Sequence, residues 1–331
     1  MLSPRLTRAS PHIRIRRCFH TTGQTQRSLS SLHPDADHPF GLQIERNLSK
    51  SPFADAIDVL VSPTSGRGIY AMRNIPAGES IIVENPFAEV LRDTENRCHR
   101  CWKPNVPSSP QCTCDLSQLS MEYKAFFDTR PRYQELCDLQ YRHIEEDGSF
   151  PILITNIIGR ILHDLTTKGS FDSMVLINQL VHGNEIEPAH IPETWQSSYR
   201  RIQECILTEP GQAELFSLPW YARKMTMLNL NVFRVFLPDQ AGAALYILSS
   251  FLNHSCVPNA HPFWRDSNAI EIQTVRDIRK GEELLISYTD IDQFKSDQER
   301  NGWLQHMYGF SCRCQLCQRL AHSKNRLTRN Q

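Results

Sequence analysis

The sequence of 331 residues sets 36 Lys and Arg against 36 Asp and Glu and is 40% hydrophobic, which suits a folded protein with a sizeable core and gives no electrostatic reason to expect nucleic acid as a partner. Its most apolar stretch, residues 151–162, is too short for a bilayer and contains Arg160, so no transmembrane helix and no membrane partner are expected. Eleven cysteines without a secretory signal point to a reducing compartment, where clustered thiols hold metal more often than they form disulfides.

Residues 1–34 stand apart from the rest. Arg5, Arg8, Arg14, Arg16, Arg17 and Arg27 lie among many Ser and Thr, and no acidic residue appears before Asp35. This is the composition of a mitochondrial presequence, whose positive charge responds to an inside-negative membrane potential. RCFHTTGQTQ is similar to the arginine-based processing sites of such leaders, which would put removal near Phe19 or Gln26. The other reading is a disordered basic tail on a nuclear or cytoplasmic protein. Neither belongs to the fold, and residues 35–54 read as a linker.

From 55 to 95 the pattern is that of a small meandering sheet. Alternating, β-branched IDVLV (57–61) is followed by the turn SPTSGRG, then by strands in IYAMRNI and ESIIVENPFAEVL around the PAGE turn at 76–79. Residues 96–120 are rich in Cys, Pro and Ser. Cys98, Cys101, Cys112 and Cys114 could make one four-thiolate zinc site; a loop with reactive thiols is the alternative, because a CxC end is less typical of zinc sites than CxxC. Residues 121–225 read mainly as helices.

WYARKMTMLNLNVFRVF (220–236) sets Tyr221, Met225, Leu228, Val232 and Val235 at steps of four and three, which predicts one amphipathic helix. In 226–292 strand character returns at 261–264, 269–275 and 283–288. Residues 293–318 hold a short helix with Trp303, Leu304 and Met307, then YGFSCRCQLC, and 319–331 read as a disordered tail. The isolated Cys137 and Cys205 read as buried bystanders.

Two features carry chemistry. Cys312, Cys314 and Cys317 in CxCxxC are one donor short of a tetrahedral zinc site, and Cys256, set among polar neighbours in FLNHSCVPNA, is the candidate fourth. The alternatives are a solvent-completed site or redox-active thiols. The second feature is Asn253, His254 and Ser255 in the same turn, polar groups that cost free energy unless each finds a partner.

SGRGIYA (65–71), NVF (231–233), NHSCVPN (253–259), GEELLISY (281–288) and YGFSCRCQLC (308–317) occur in the order and at the approximate separations of SET-domain protein lysine methyltransferases. The chain most resembles the SET and MYND group, with a reduced MYND region and, with 14 residues after Cys317, no long C-terminal helical domain. The resemblance implies an α+β fold in which small β-sheets surround a pseudoknot of 253–259 with 281–288, interrupted by a large helical insertion and closed by a zinc-binding post-SET tail. It implies S-adenosylmethionine as cofactor, bound by Gly66, Arg67, Gly68, Asn231, Asn253, His254 and Phe310, and zinc on Cys256, Cys312, Cys314 and Cys317. Tyr288 resembles the family's catalytic tyrosine, and Phe233 and Tyr308 the lining of its lysine channel. The implied activity is methyl transfer to a lysine of a protein partner. A catalytically silent scaffold that binds proteins through its zinc modules is the alternative, and a redox or metal-handling protein a third.

Overall fold

The computed structural model describes residues 53–91, 149–237, 240–265 and 267–318, together with 33–34 and several positions between 126 and 138. Residues 1–32 of the arginine-rich leader, Cys98, Cys101, Cys112, Cys114, Cys137 and the tail 319–331 lie outside the described residues, whereas His33 and Pro34, read as the end of that leader, instead pair with Val61 and Leu60 and so join the fold.

Among the described residues, eleven short strands make three small sheets. The strands are β1 (His33–Pro34), β2 (Ile57–Ser62), β3 (Gly66–Ala71), β4 (Ser80–Glu84), β5 (Ala88–Leu91), β6 (Val232–Leu237), β7 (Gln240–Leu245), β8 (Asn253–His254), β9 (Ala260–Phe263), β10 (Ile270–Thr274) and β11 (Glu283–Ile286). They pair in the orders β1-β2-β3-β11-β8, β4-β10-β9 and β5-β7-β6. Each sheet with strands from before residue 92 also takes strands from after residue 231, so the two β-rich halves of the sequence form one structure.

From residue 149 to 231 the helices are α1 (Phe150–Lys168), α2 (Asp172–Asn178), α3 (Glu193–Cys205), α4 (Gln212–Leu215) and α5 (Leu218–Asn231). Pro151 opens α1, where a missing N–H costs nothing, and Gly169 ends it in the left-handed region at φ 61°. Ile152, Leu153, Ile154, Ile157, Ile158, Ile161 and Leu162 are all buried, so the most apolar stretch of the chain is a core helix. Arg160 is accommodated there because its Nη1 donates to the Phe87 carbonyl at 3.0 Å and its guanidinium lies 4.4 Å from the Phe87 ring. Asn156 adds a bond from Nδ2 to the Glu89 carbonyl at 2.8 Å, fixing α1 against β5. No described helix is long and apolar enough to cross a membrane.

The expected single helix over 220–236 is corrected. α5 stops at Asn231, and Val232, with φ −76° and ψ 133°, begins β6. Val235 is fully buried through the sheet rather than through a helical face. The physical reason is that VFRVFL is rich in β-branched and aromatic residues and pairs along its whole length with β7, a gain that an isolated last helical turn cannot match. Strand β11 likewise ends at Ile286, two residues short of Tyr288.

Lys224, a charged side chain of the insertion, is buried against an amide and an imidazole. Lys224 is 1% exposed and donates from Nζ to Asn178 Oδ1 at 2.7 Å and to His182 Nε2 at 2.9 Å. Burial, then the neighbouring Arg223, pushes its ammonium down to about 7, and burial, then Lys224, pushes His182 down to about 3. An unfolded lysine titrates near about 10.4, so between pH 7 and about 10 the unfolded chain holds a proton that the folded one lacks, and stability rises with pH. The unfolding free energy of wild type relative to Lys224→Met is therefore expected to rise through that window in denaturant titrations. A difference independent of pH would show that Lys224 is charged in the fold.

Candidate active site and metal centre

Strands β8 and β11 run parallel, with Asn253 opposite Leu285 and His254 opposite Ile286. Asn259 stitches the same two segments. Its Nδ2 donates to the Glu283 carbonyl at 2.8 Å, its Oδ1 accepts from Leu285 N at 2.7 Å, and its own N–H reaches the Leu285 carbonyl at 3.1 Å. These are the two segments that the resemblance joins in a pseudoknot, and their pairing answers where the polar groups of the 251–260 turn go. Ser255 closes on itself, its hydroxyl donating to the Val257 carbonyl at 2.9 Å.

Beside this crossing lies a cavity of about 480 Å³, within the usual range for small-molecule sites. Gly66, Arg67, Asn231, Asn253 and Tyr288 line it, as do Ser65, Ser250, Phe251, Leu180 and Val181. Gly66 adopts φ 71°, a conformation that needs glycine, and so brings backbone to the cavity wall. Asn231 spends both amide protons on the Val181 and Met227 carbonyls, at 2.8 and 2.7 Å. Asn253 directs its amide nitrogen to the Arg67 carbonyl at 3.0 Å and to Glu283 Oε1 at 2.7 Å. Two amide oxygens thus remain on one wall for N–H donors of a ligand, and Arg67 offers a cation for a carboxylate.

Tyr288 closes one side. Its hydroxyl donates to the Leu252 carbonyl at 2.7 Å, and its ring lies 4.9 Å from Tyr308, 5.3 Å from His254 and 6.3 Å from Phe310. Tyr308 and Phe310 come in from the end of α6 (Asp297–Tyr308) and the segment after it. Phe233, on β6, packs edge-on against Tyr246 at 5.6 Å. Gly68 is not among the cavity-lining residues; a side chain there would meet Glu283 Oε1 at 2.5 Å.

His254 sits between the cavity and a cluster of thiols. Burial pushes its imidazole down to about 4, so the ring is neutral near pH 7. Nδ1 accepts the Tyr288 N–H at 3.0 Å, which leaves the proton on Nε2, 3.4 Å from Cys256 Sγ. Both ring nitrogens are therefore engaged by protein, and only the backbone of His254 is left to meet a ligand.

Cys256, Cys312, Cys314 and Cys317 place their sulfurs within 4.8 Å of one another. Cys256 Sγ is 3.7 Å from both Cys312 Sγ and Cys317 Sγ. That is too long for a disulfide at about 2.05 Å, and it matches the edge of about 3.8 Å that a tetrahedron with Zn–S bonds of about 2.3 Å requires. The donor set fits zinc. Four thiolates around a divalent cation leave a net negative charge, and the buried Arg300 answers it, with Nη2 3.4 Å from Cys317 Sγ. Asn301 Nδ2 donates to the same sulfur at 3.7 Å while its Oδ1 accepts from Cys312 N at 2.9 Å. Hydrogen bonds within the cluster push the Cys256 thiol up and the Cys314 thiol down, as expected where neighbouring sulfurs share protons that a metal would displace. This is the one such cluster among the described residues. Cys205 is buried and apart, a core thiol as expected.

Sequence reasoning did not find Leu180, Val181, Ser250 or Phe251 in the cavity wall, nor Glu283 behind Asn253. The first two belong to a connection after α2 and carry no periodic signal; the others are ordinary core or strand residues when read singly.

A family model described as SET domain matches residues 66–289. A SET and MYND domain-containing protein of Dictyostelium discoideum is 25% identical over 266 residues, covering 72% of this chain and 76% of that protein. The histone-lysine N-methyltransferase ATXR4 of Arabidopsis thaliana is 25% identical over 292 residues, covering 79% and 86%. The histone-lysine N-methyltransferase SMYD1 of Homo sapiens is 25% identical over 285 residues, covering 80% of this chain and 56% of that protein.

Proposed function

The chain belongs to the SET domain family, and from that premise we propose that it is a protein-lysine N-methyltransferase using S-adenosylmethionine. The observation that carries the proposal is that Gly66, Arg67, Asn231, Asn253 and Tyr288, drawn from separate parts of the sequence, line one cavity of ligand size. Relatives named as lysine methyltransferases over most of this chain's length support it. The intact wall, with Tyr288 in place, weighs against a silent scaffold.

When bound, the cofactor supplies an electrophilic methyl group on a sulfonium; everything else falls to the chain. Asn231 and Asn253 would take the amine donors on their oxygens and Arg67 the carboxylate, while Phe310 would cover the aromatic base. Tyr288, Tyr308 and Phe233 would surround the incoming lysine. A lysine amine with pKa near about 10.4 must lose its proton before it can attack, and an aromatic, water-poor channel disfavours the ammonium form. Tyr288 anchors through Leu252 and so holds its ring and oxygen in one place. Holding nitrogen, methyl carbon and sulfur in line is an orientation effect that can supply several kcal/mol. The thiol cluster would hold zinc and thereby fix the segment that delivers Tyr308 and Phe310.

The test is binding. S-adenosylhomocysteine at about 100 times its Kd is expected to stabilise the purified protein by about 2.7 kcal/mol, read from the denaturation midpoint. No shift at millimolar concentration would refute the assignment.

We further propose that residues 1–34 are a mitochondrial presequence, which makes mitochondrial proteins the substrates to test. Residues 1–40 fused to a fluorescent reporter are expected to enter mitochondria; a reporter left in the cytosol or nucleus would defeat this.

A further inference from the structure

Glu283 stands behind the cavity rather than in it, and three side chains converge on its carboxylate. Asn253 donates to Oε1 at 2.7 Å, Ser65 Oγ to Oε2 at 3.4 Å, and Tyr70 reaches the same group. Strand register explains the convergence. Glu283 lies directly opposite Tyr70 across the β3–β11 pair, so Gly68, two residues before Tyr70, is on the same face. On the other side Asn253 lies opposite Leu285, two residues after Glu283, and shares that face as well. The place that a side chain at position 68 would occupy is filled by Glu283 Oε1 at 2.5 Å and Asn253 Nδ2 at 2.9 Å from its missing Cβ. The second glycine of the GRG turn is thus required by the packing of this carboxylate and the Asn253 amide.

An asparagine amide can be turned either way round, with opposite hydrogen-bonding consequences for whatever faces it. At position 253 the choice is forced. A carboxylate and the Arg67 carbonyl, both acceptors, flank the nitrogen, so the NH2 group must point to them and the oxygen is left for the cavity. Burial pushes the Glu283 carboxyl up, and the hydrogen bonds from Asn253, Tyr70 and Ser65 oppose that. Tyr70, pushed up to about 12 by burial and by Glu283, keeps its proton and remains a donor.

We propose that Glu283, seated over the bare Gly68, is a positioning residue that turns the Asn253 amide so that its oxygen receives an N–H of the bound cofactor. The inference rests on the assignment of the cavity to S-adenosylmethionine. Gly68→Ala acts on the same lock, because a methyl there displaces the carboxylate and crowds the Asn253 amide nitrogen while the strand backbone stays compatible with alanine.

The experiment is calorimetric titration of S-adenosylhomocysteine into wild type, Glu283→Leu, Gly68→Ala, Asn253→Ala and the Glu283→Leu/Asn253→Ala double variant, with thermal melting of each apoprotein. Each single variant is expected to weaken binding about tenfold or more, the scale of one hydrogen bond to a charged group. In the Asn253→Ala background, Glu283→Leu is expected to add less than about a threefold loss, because the group it positions is gone. A general loss of structure would instead carry the full effect into the double variant, and that result overturns the proposal. So does wild-type affinity in folded Glu283→Leu and Gly68→Ala proteins. Should the leucine variant fail to fold, Gly68→Ala with Asn253→Ala completes the same cycle. Wild-type protein that binds no S-adenosylhomocysteine refutes the cavity assignment itself, a result distinct from all of these.

Discussion

Cys256→Ala is expected to purify with one zinc fewer per chain than wild type and with the 309–318 segment open to protease. With zinc bound, the four sulfurs would tie the β8 turn to the 309–318 segment, where Cys312 and Cys317 are buried in a small cluster with Cys256 and Leu304. Three remaining thiols make an incomplete tetrahedron, and the apparent binding free energy of a structural zinc, about 10–16 kcal/mol in small peptides, far exceeds what that cluster gains by burying one leucine, about 2 kcal/mol. The consequences reach the cavity. Tyr308 and Phe310 arrive with that segment, and His254 Nε2 loses the sulfur it faces. Affinity for S-adenosylhomocysteine is therefore expected to fall together with zinc content. Elemental analysis decides the first point: equal zinc in variant and wild type would mean that Cys256 is no ligand.

Tyr288→Phe is expected to lower methyl transfer by about a hundredfold or more while leaving cofactor affinity within a few fold. Losing the hydroxyl removes its bond to the Leu252 carbonyl, whereas the ring contacts to His254, Tyr308 and Phe310 and the backbone bond to His254 Nδ1 persist. Misplacement of a reacting group by about 1 Å can cost about a hundredfold, so a large rate effect with a small binding effect is the signature of an orienting group. Parallel losses in both, or unchanged turnover, would remove Tyr288 from that role.

The thiol tetrad was legible because cysteines are rare and their spacing is chemically restrictive. CxCxxC lacks one donor, and Cys256 sits where no hydrophobic reason would put it. The cavity glycine Gly66 and the asparagines at 231 and 253 were legible through a set of short motifs in fixed order. The switch from helix to strand at Asn231 was not. Val232 and Val235 lie one helical step apart, a spacing that a strand divides between its two faces, and only pairing with β7 reveals the strand. The wall supplied by Leu180 and Val181 was hidden because a loop has no period, and its position depends on long-range bonds such as that from Asn231 to the Val181 carbonyl. Glu283 has no sequence signal of its own, since its meaning lies in register with Gly68, Tyr70 and Asn253 across two strand pairs. His254 turns its ring to Cys256 and Tyr288, an orientation set by tertiary contacts rather than by motif.

The central claim is that this cavity delivers a methyl group to a lysine amine. Protein from residue 35 onward, loaded with zinc, is incubated with methyl-labelled S-adenosylmethionine and a mitochondrial protein extract, and acid hydrolysates are separated by amino acid. Label recovered as methyl-lysine with wild type and absent with Tyr288→Phe is the predicted result. Cofactor bound by folded wild-type protein but no label on lysine, across mitochondrial, nuclear and cytosolic extracts, would contradict it.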